Sequence, residues 1–170
     1  MRILVYGFGP YRQFRDNISA RLIERLPIEA GLKTVVFPVR FQRRQFIAAM
    51  RRHRPDVVLG LGQSSRKGIE VEKRALNRRL GRQFDKPRPI FANRPLRLPT
   101  TLKLRAGRWV GASRNAGDYV CNYSMYVLLD EIARERRAVR FGFIHIPHDY
   151  DLDKAGRMLL RVLKQCRRPG

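Results

Sequence analysis

Short apolar runs alternate with amphipathic segments along the first third of the chain. Residues 2–6, 34–39 and 57–60 are apolar runs of strand length, so they predict strands. Residues 17–26 and 42–52 carry apolar side chains at helical spacing and predict helices. This order favours a three-layer α/β fold with a mostly parallel, open twisted sheet flanked by helices. Functional groups in such sheets gather at the carboxyl ends of the strands.

The second half of the chain holds two further helical patterns around a less regular middle. Residues 119–135 and 151–166 predict amphipathic helices, and residues 141–147 form an apolar, strand-like run. Residues 87–108 contain four prolines, so they predict an extended excursion or a hairpin. Residues 108–111 predict a strand that leads into the following turn.

The composition adds an unusual positive charge to this picture. The formal net charge is +23, from 37 basic and 14 acidic residues. Such a field attracts polyanions, so we expect non-specific binding of nucleic acid at low salt. The basic residues are spread along the chain without a zinc-finger or RNA-recognition pattern. Specific nucleic-acid binding is therefore only a minor alternative.

Other compositional features indicate a cytoplasmic protein that does not enter a membrane. No apolar run approaches the ~20 residues of a membrane span, and the first residues are too strand-like for a signal peptide. Cys121 and Cys166 do not make a disulfide framework, so we expect reduced thiols. The length suits a single domain over residues 1–170.

One cysteine and one distant histidine stand at positions suited to acyl transfer. Cys121 follows a turn and begins a predicted helix, where unpaired N–H groups and the helix dipole favour a thiolate. His145 lies near the end of the strand-like run, and a cysteine with a distant histidine is the minimum for thiol chemistry. Each residue also has a structural alternative, because a lone cysteine is often simply a small buried residue.

Two choices stay open when the residues are considered alone. Glu70 and Glu72 are two positions apart, so on a strand they share a face and either could orient an imidazole. His148 lies in a predicted loop beside Asp149 and competes with His145 for the role of base. Periodicity and spacing do not choose within either pair.

Four motifs, in order along the chain, resemble those of the pyroglutamyl peptidase I family of cysteine peptidases. Residues 72–77 resemble E-R-x-A-x-N, residues 113–123 resemble S-x-S-A-G-x-Y-x-C-N-Y, and residues 142–147 resemble G-F-I-H-x-P. Residues 6–11 and 17–19 resemble T-G-F-x-P-F-G-G followed by N-P-S/T. The resemblance covers the chain from end to end and implies an α/β fold.

The resemblance also implies a role for each candidate catalytic residue. It makes Cys121 the nucleophile, His145 the general base and acid, and Glu72 the carboxylate that orients the imidazole. It therefore favours Glu72 over Glu70 and His145 over His148. The chemistry that it implies uses no metal and no cofactor.

The implied substrates are peptides with an N-terminal pyroglutamyl residue, whose lactam ring is small and uncharged. Phe8 and Tyr11 resemble the two aromatic residues that sandwich this ring in the family, although both could instead pack under the first loop. Gln63 is expected to bond the lactam. Arg82 resembles an arginine near the family's site and is a second candidate donor to the oxyanion, beside the Cys121 N–H.

The chain departs from the family pattern mainly where substrate would be held. Arg12 and Gln13 stand in place of a Gly-Gly pair, and residues 85–113 form a shorter segment without the helix expected before the cysteine. The predicted function is hydrolysis of the amide bond after an N-terminal pyroglutamyl residue. The alternatives are a thiol amidohydrolase with another substrate and a non-catalytic basic protein that binds nucleic acid on the same scaffold.

Overall fold

The computed structural model describes residues 1–11, 14–80, 86–104 and 110–167. The first half follows the predicted order, and its elements are β1 (Ile3–Phe8), α1 (Ile18–Glu24), β2 (Leu32–Phe37), α2 (Arg43–His53) and β3 (Val57–Ser64). Strand β2 lies two residues earlier than predicted. Strand β3 runs four residues past its predicted end, because its whole length pairs with a strand from the far end of the chain.

The described residues of the second half contain the two predicted helices and five strands. Its elements are β4 (Ile69–Glu72), β5 (Arg74–Leu76), β6 (Arg97–Pro99), β7 (Val110–Ser113), α3 (Val120–Arg134), β8 (Arg140–Pro147) and α4 (Leu152–Cys166). The boundaries of α2, α3 and α4 agree with the sequence patterns to within one residue, whereas α1 ends two residues before its predicted end. No helix in the described part of the chain is long and apolar enough to cross a bilayer.

Six strands form the main sheet in the order β2-β1-β3-β8-β4-β7. All neighbours are parallel except β4 and β8, which are antiparallel, so the expected mostly parallel sheet is confirmed. Strands β5 and β6 form a separate antiparallel pair. The described part of residues 87–108 therefore contains no hairpin of its own, because β6 pairs with β5 instead.

Helices cover both faces of the sheet and make the three predicted layers. Alternate residues of β1 point to opposite faces: Tyr6 packs in one buried cluster with α2 and α3, and Val5 packs in the other with α1 and α4. The carboxyl ends of β1, β3 and β8 lie at the same edge of the sheet, because these strands are parallel neighbours. The beginning of α3 reaches this edge.

Candidate active site

The structure places Cys121 in the first turn of α3, against the end of β3. Its thiol is partly exposed. A Cβ atom added at Gly62 of β3 would lie 2.8 Å from the Cys121 Sγ, so this glycine leaves the room that the thiol occupies. The turn before α3 contains Gly117, whose φ of +79° suits glycine.

His145 connects the thiol to a buried carboxylate. Its Nδ1 donates a 2.7 Å hydrogen bond to the Oε1 of Glu72, whose side chain is fully buried. The His145 ring also interacts with the Cys121 thiol, and this interaction helps to raise the pKa of the imidazole. The three residues that the motifs select therefore form one chain of contacts, in the order expected of a catalytic triad.

The surroundings of His145 and Glu72 favour the charged forms of both side chains. Burial alone would lower the pKa of His145, but its interactions with Cys121 and Glu72 prevail and raise that pKa to about 9. Burial alone would raise the pKa of Glu72, yet its contacts with His145 and Arg66 hold that pKa below its usual value. Near neutral pH this arrangement supports an imidazolium held by a carboxylate.

Glu70 and His148, the two rivals, have other partners. Glu70 lies opposite His145 in the pairing of β4 with β8, but its carboxylate pairs with Arg66. The ring of His148 packs against that of Phe14 at 5.4 Å, and its Nδ1 is 4.0 Å from a carboxylate oxygen of Asp149. Glu72, and not Glu70, therefore accepts the hydrogen bond from His145. The buried histidine beside the thiol is His145, and not His148.

Neighbouring motif residues hold the strands in place around the triad. The side chain of Asn122 donates to the carbonyl oxygens of Leu76 and Arg78 and accepts from the Leu76 N–H, all at 2.8 Å. The side chain of Asn77 accepts from two backbone N–H groups, those of Ile90 and Phe91. These amides fix the start of α3 against the chain that follows Glu72.

A buried hydroxyl pair supports the turn that carries the nucleophile. The Ser124 hydroxyl donates to the carbonyl oxygen of Cys121 at 2.8 Å and lies 3.0 Å from the hydroxyl of Tyr6. Burial raises the pKa of Tyr6 well above its usual range, so this phenol stays neutral. The pair ties the first turn of α3 to strand β1.

A cavity of about 230 Å³ opens beside Cys121. Its described lining contains no carboxylate, lysine or arginine side chain. Aromatic and amide groups supply much of the wall, among them Phe8, Tyr11, Tyr119 and Gln63, and His148 lies at one side. A small, uncharged and partly apolar group fits such a lining.

The predicted substrate residues occupy this cavity to different degrees. Phe8 is almost fully buried and packs edge-on to Tyr6, so only its rim lines the cavity. Tyr11 is more exposed and packs at 4.9 Å on Tyr119. The side-chain oxygen of Gln63 accepts a 3.1 Å hydrogen bond from the N–H of Ile18.

The loop that carries Phe8 and Tyr11 is tied to the start of α1. Asn17 caps this helix: its Oδ1 accepts from the Ser19 N–H at 3.0 Å, and its amide donates to the Gly9 carbonyl at 3.2 Å. The Ser19 hydroxyl also accepts from the N–H of Phe8 at 3.0 Å. Arg82, the remaining predicted site residue, lies outside the described residues.

Known proteins similar to this chain identify its family. The family model for pyroglutamyl peptidases matches residues 1–152. The chain belongs to the pyroglutamyl peptidase family. It is 34% identical over 167 residues to a pyrrolidone-carboxylate peptidase of Brevibacillus brevis, covering 86% of this chain and 78% of that protein. Pyrrolidone-carboxylate peptidase 1 of Saccharolobus solfataricus is 30% identical over 168 residues, covering 86% and 79%.

Solved structures of pyroglutamyl peptidases share the fold. Pyroglutamyl peptidase I of Bacillus amyloliquefaciens superposes with a TM-score of 0.85 at 26% identity, over 96% of this chain and 93% of that one. The pyrrolidone carboxyl peptidase of Thermococcus litoralis gives a TM-score of 0.84 at 23% identity, over 96% and 92%, and shows likeness of fold alone. The family expected from the sequence motifs is confirmed, and with it the assignment as a cysteine peptidase.

Sequence analysis overlooked Arg66 as a member of the site. This arginine lies between β3 and β4, and its guanidinium reaches both Glu72 and Glu70. A basic residue six positions before a buried acid was the only available signal, and basic residues are too frequent in this chain for that signal to stand out.

Proposed function

We propose that this protein is an exopeptidase that hydrolyses the amide bond after an N-terminal pyroglutamyl residue. The observation that carries the proposal is the contact chain Cys121–His145–Glu72 beside a small cavity whose described lining has no carboxylate, lysine or arginine side chain, in a chain of the pyroglutamyl peptidase family. The alternatives, another amide substrate or a non-catalytic nucleic-acid binder, lack a comparable observation.

In the acylation step, the Cys121 sulfur attacks the main-chain carbonyl carbon of the pyroglutamyl residue. His145 accepts the thiol proton and then gives it to the leaving amine, so the C–N bond breaks as the thioester forms. In deacylation, water loses a proton to His145 and attacks the thioester. The C–S bond breaks, pyroglutamate is released, and His145 returns the proton to the Cys121 sulfur.

Glu72 and the start of α3 support the charges that develop. Glu72 holds His145 through the 2.7 Å bond and stabilises its protonated form. The Cys121 N–H lies in the first turn of α3, where helix geometry provides no acceptor within the helix, so it is positioned to donate to the oxyanion. Arg82 stays a prediction for a second donor.

The cavity beside Cys121 selects the lactam ring. Tyr11 and the rim of Phe8 provide aromatic surface for a flat ring. Because the Gln63 oxygen already accepts from Ile18, its amide N–H is the group that would donate to the lactam carbonyl. A free N-terminal ammonium would have no carboxylate partner in the described lining, so this site disfavours ordinary peptides.

The test is hydrolysis of a fluorogenic pyroglutamyl amide by the wild-type protein and by Cys121→Ala. A prolyl amide serves as the comparison substrate, since it keeps a five-membered ring without the lactam carbonyl. We expect rapid release only from the pyroglutamyl amide and only by the wild type. Cys121-dependent release from other amides alone would favour the divergent amidohydrolase. Equal turnover by Cys121→Ala would rule out thiol catalysis.

The single-domain and cytoplasmic predictions belong to the same proposal. Both buried clusters pack on one sheet, so residues 1–170 are expected to unfold in a single transition on heating. Both cysteines are free, as a reducing compartment requires. Two separate unfolding transitions, or oxidised cysteines in protein isolated from cells, would argue against these points.

The positive charge supports a second property, which is weak and non-specific binding of nucleic acid. With a net charge of +23, the protein should bind DNA or RNA without regard to sequence, and its affinity should fall steeply between low and physiological salt. Filter binding at several salt concentrations measures this slope. Tight, sequence-selective binding at physiological salt would promote nucleic-acid recognition to a main function.

A further inference from the structure

Arg66 contacts the triad at Glu72 and is not part of the described cavity lining. One guanidinium nitrogen donates to the Glu72 Oε1 at 3.3 Å and to the Ser113 hydroxyl at 3.0 Å, and it also pairs with Glu70. The other terminal nitrogen bonds the carbonyl oxygen of Asn115. Arg66 thus joins strand β4 to the loop that leads into α3.

Glu72 depends on few partners. Its side chain is fully buried, and a buried carboxylate that loses a partner carries a large desolvation cost. Its Oε1 accepts from both His145 and Arg66, while its Oε2 is buried without a hydrogen-bond partner among the described residues. The Ser113 hydroxyl, opposite Glu72 in the pairing of β4 with β7, also interacts with the carboxylate and itself accepts from Arg66. The orientation of this carboxylate therefore rests on the two donors at Oε1 together with Ser113.

Glu70 completes the arrangement by balancing the arginine. Arg66 alone would place a full positive charge beside the Glu72 carboxylate and weaken its attraction to the His145 imidazolium. The ion pair between Arg66 and Glu70 offsets that charge while leaving the guanidinium in contact with Glu72. Half-buried Glu70 thus has a role different from the orienting of the imidazole that the sequence left open for it.

We propose that Arg66 is a positioning residue that holds the Glu72 carboxylate in its orientation toward His145, with Glu70 as the counter-charge. This inference rests on the proposed function, in which Glu72 serves His145. Arg66 acts through Glu72, since it does not line the cavity.

The experiment compares Arg66→Gln, Arg66→Lys and Arg74→Gln in the full chain. Arg74 is a matched control, because it donates to the neighbouring carbonyl of Arg114 at 2.9 Å and has no contact with Glu72 among the described residues. We expect Arg66→Gln to lower kcat by about 10- to 100-fold with little change in KM, as for partners that orient metal-binding histidines. Arg66→Lys should recover part of this loss, and Arg74→Gln should stay near wild type.

A second measurement separates positioning from loss of folding and does not depend on substrate. In the wild type, the His145 Nδ1 proton should give a downfield NMR signal that Glu72→Gln shifts or removes. Arg66→Gln should shift or broaden the same signal while the melting temperature stays near that of Arg74→Gln. An unchanged signal with unchanged kcat overturns the proposal, as does an equal effect in Arg74→Gln. If the wild type cleaves no pyroglutamyl amide but Arg66→Gln still moves the signal, only the proposed function fails.

Discussion

The two cysteines show how position in the fold separates a nucleophile from a structural residue. Both lie in helices of 15 residues, but Cys121 is the second residue of α3 and Cys166 is the last residue of α4. Cys121 is partly exposed, borders a cavity and contacts His145. Cys166 is fully buried in the cluster that α4 forms with the sheet.

The surroundings of the two thiols differ in the same way. Burial raises the pKa of Cys166 to about 11, although the nearby charge of Arg140 opposes this shift. Its thiol therefore stays protonated and unreactive near neutral pH. Cys121 instead lies beside the His145 imidazole, at the start of a helix and at the carboxyl edge of the sheet. The reactivity of each thiol therefore depends on where the fold places it.

The largest loss of activity is expected from removing the imidazole of His145, which lies beside Cys121. His145→Ala should lower kcat/KM by about 10⁴- to 10⁶-fold, because a catalytic unit of this kind loses most of its power with one member. His148→Ala is the matched control, since its ring lines the same cavity without contacting Glu72. A larger loss in His148→Ala than in His145→Ala would reverse the assignment of the base. Steady-state hydrolysis of the pyroglutamyl amide measures both.

The next effect concerns the two acidic residues of β4. Glu72→Gln keeps the shape but removes the charge that supports the imidazolium, so kcat should fall by about 10²- to 10⁴-fold. The pKa of His145 should also fall from about 9, because the Glu72 charge helps to raise it. Glu70→Gln should change kcat by less than about tenfold, since Glu70 acts only through Arg66. The opposite ranking of the two variants would place the catalytic carboxylate at Glu70. NMR titration of His145 and steady-state rates provide the readouts.

A smaller loss of activity is expected when an added methyl group fills the space that the Cys121 thiol occupies. In Gly62→Ala the new Cβ would lie 2.8 Å from the Cys121 Sγ and equally close to the Phe143 ring, so the thiol must move. A displacement of about 1 Å is expected to cost about 10²-fold in kcat/KM. Gly68→Ala, where the added Cβ meets nothing within 4 Å, is the control. Full activity in folded Gly62→Ala would show that the thiol has more freedom than the structure indicates.

The smallest effect on catalysis is expected at the second cysteine. Cys166→Ala should leave kcat unchanged and lower the free energy of unfolding by about 1 kcal/mol, because it removes a small buried side chain. In competitive alkylation near neutral pH, Cys121 should be modified well before Cys166. Preferential labelling of Cys166, or loss of activity in Cys166→Ala, would be inconsistent with the contrast between the two thiols.

The sequence predicts the helices better than the pairing of the strands. Residues 17–26, 42–52, 119–135 and 151–166 have apolar faces at helical spacing, and local spacing is enough to locate a helix. Strand β4 alternates charged and apolar residues and is short, and its antiparallel place beside β8 depends on contacts more than 70 residues apart. Such pairing leaves no local signature.

The same reasoning explains which parts of the site were found. Cys121 and His145 were indicated by a helix start and a strand end, and the choice of Glu72 over Glu70 required the family motif. Arg66 is only six residues before Glu72, but the contact between its guanidinium and that carboxylate depends on the path of the chain from β3 to β4, and the many other basic residues hide the weak signal of its spacing.

The most direct test of the account is to identify the covalent intermediate by mass spectrometry. The protein would be mixed with excess pyroglutamyl amide, quenched in acid and digested, with Glu72→Gln included to slow turnover. We predict a peptide containing Cys121 that is heavier by one pyroglutamyl group, and unmodified Cys166 in the same sample. Turnover with the acyl group on another residue, or with none trapped in either protein, would contradict the assignment of Cys121 as the nucleophile.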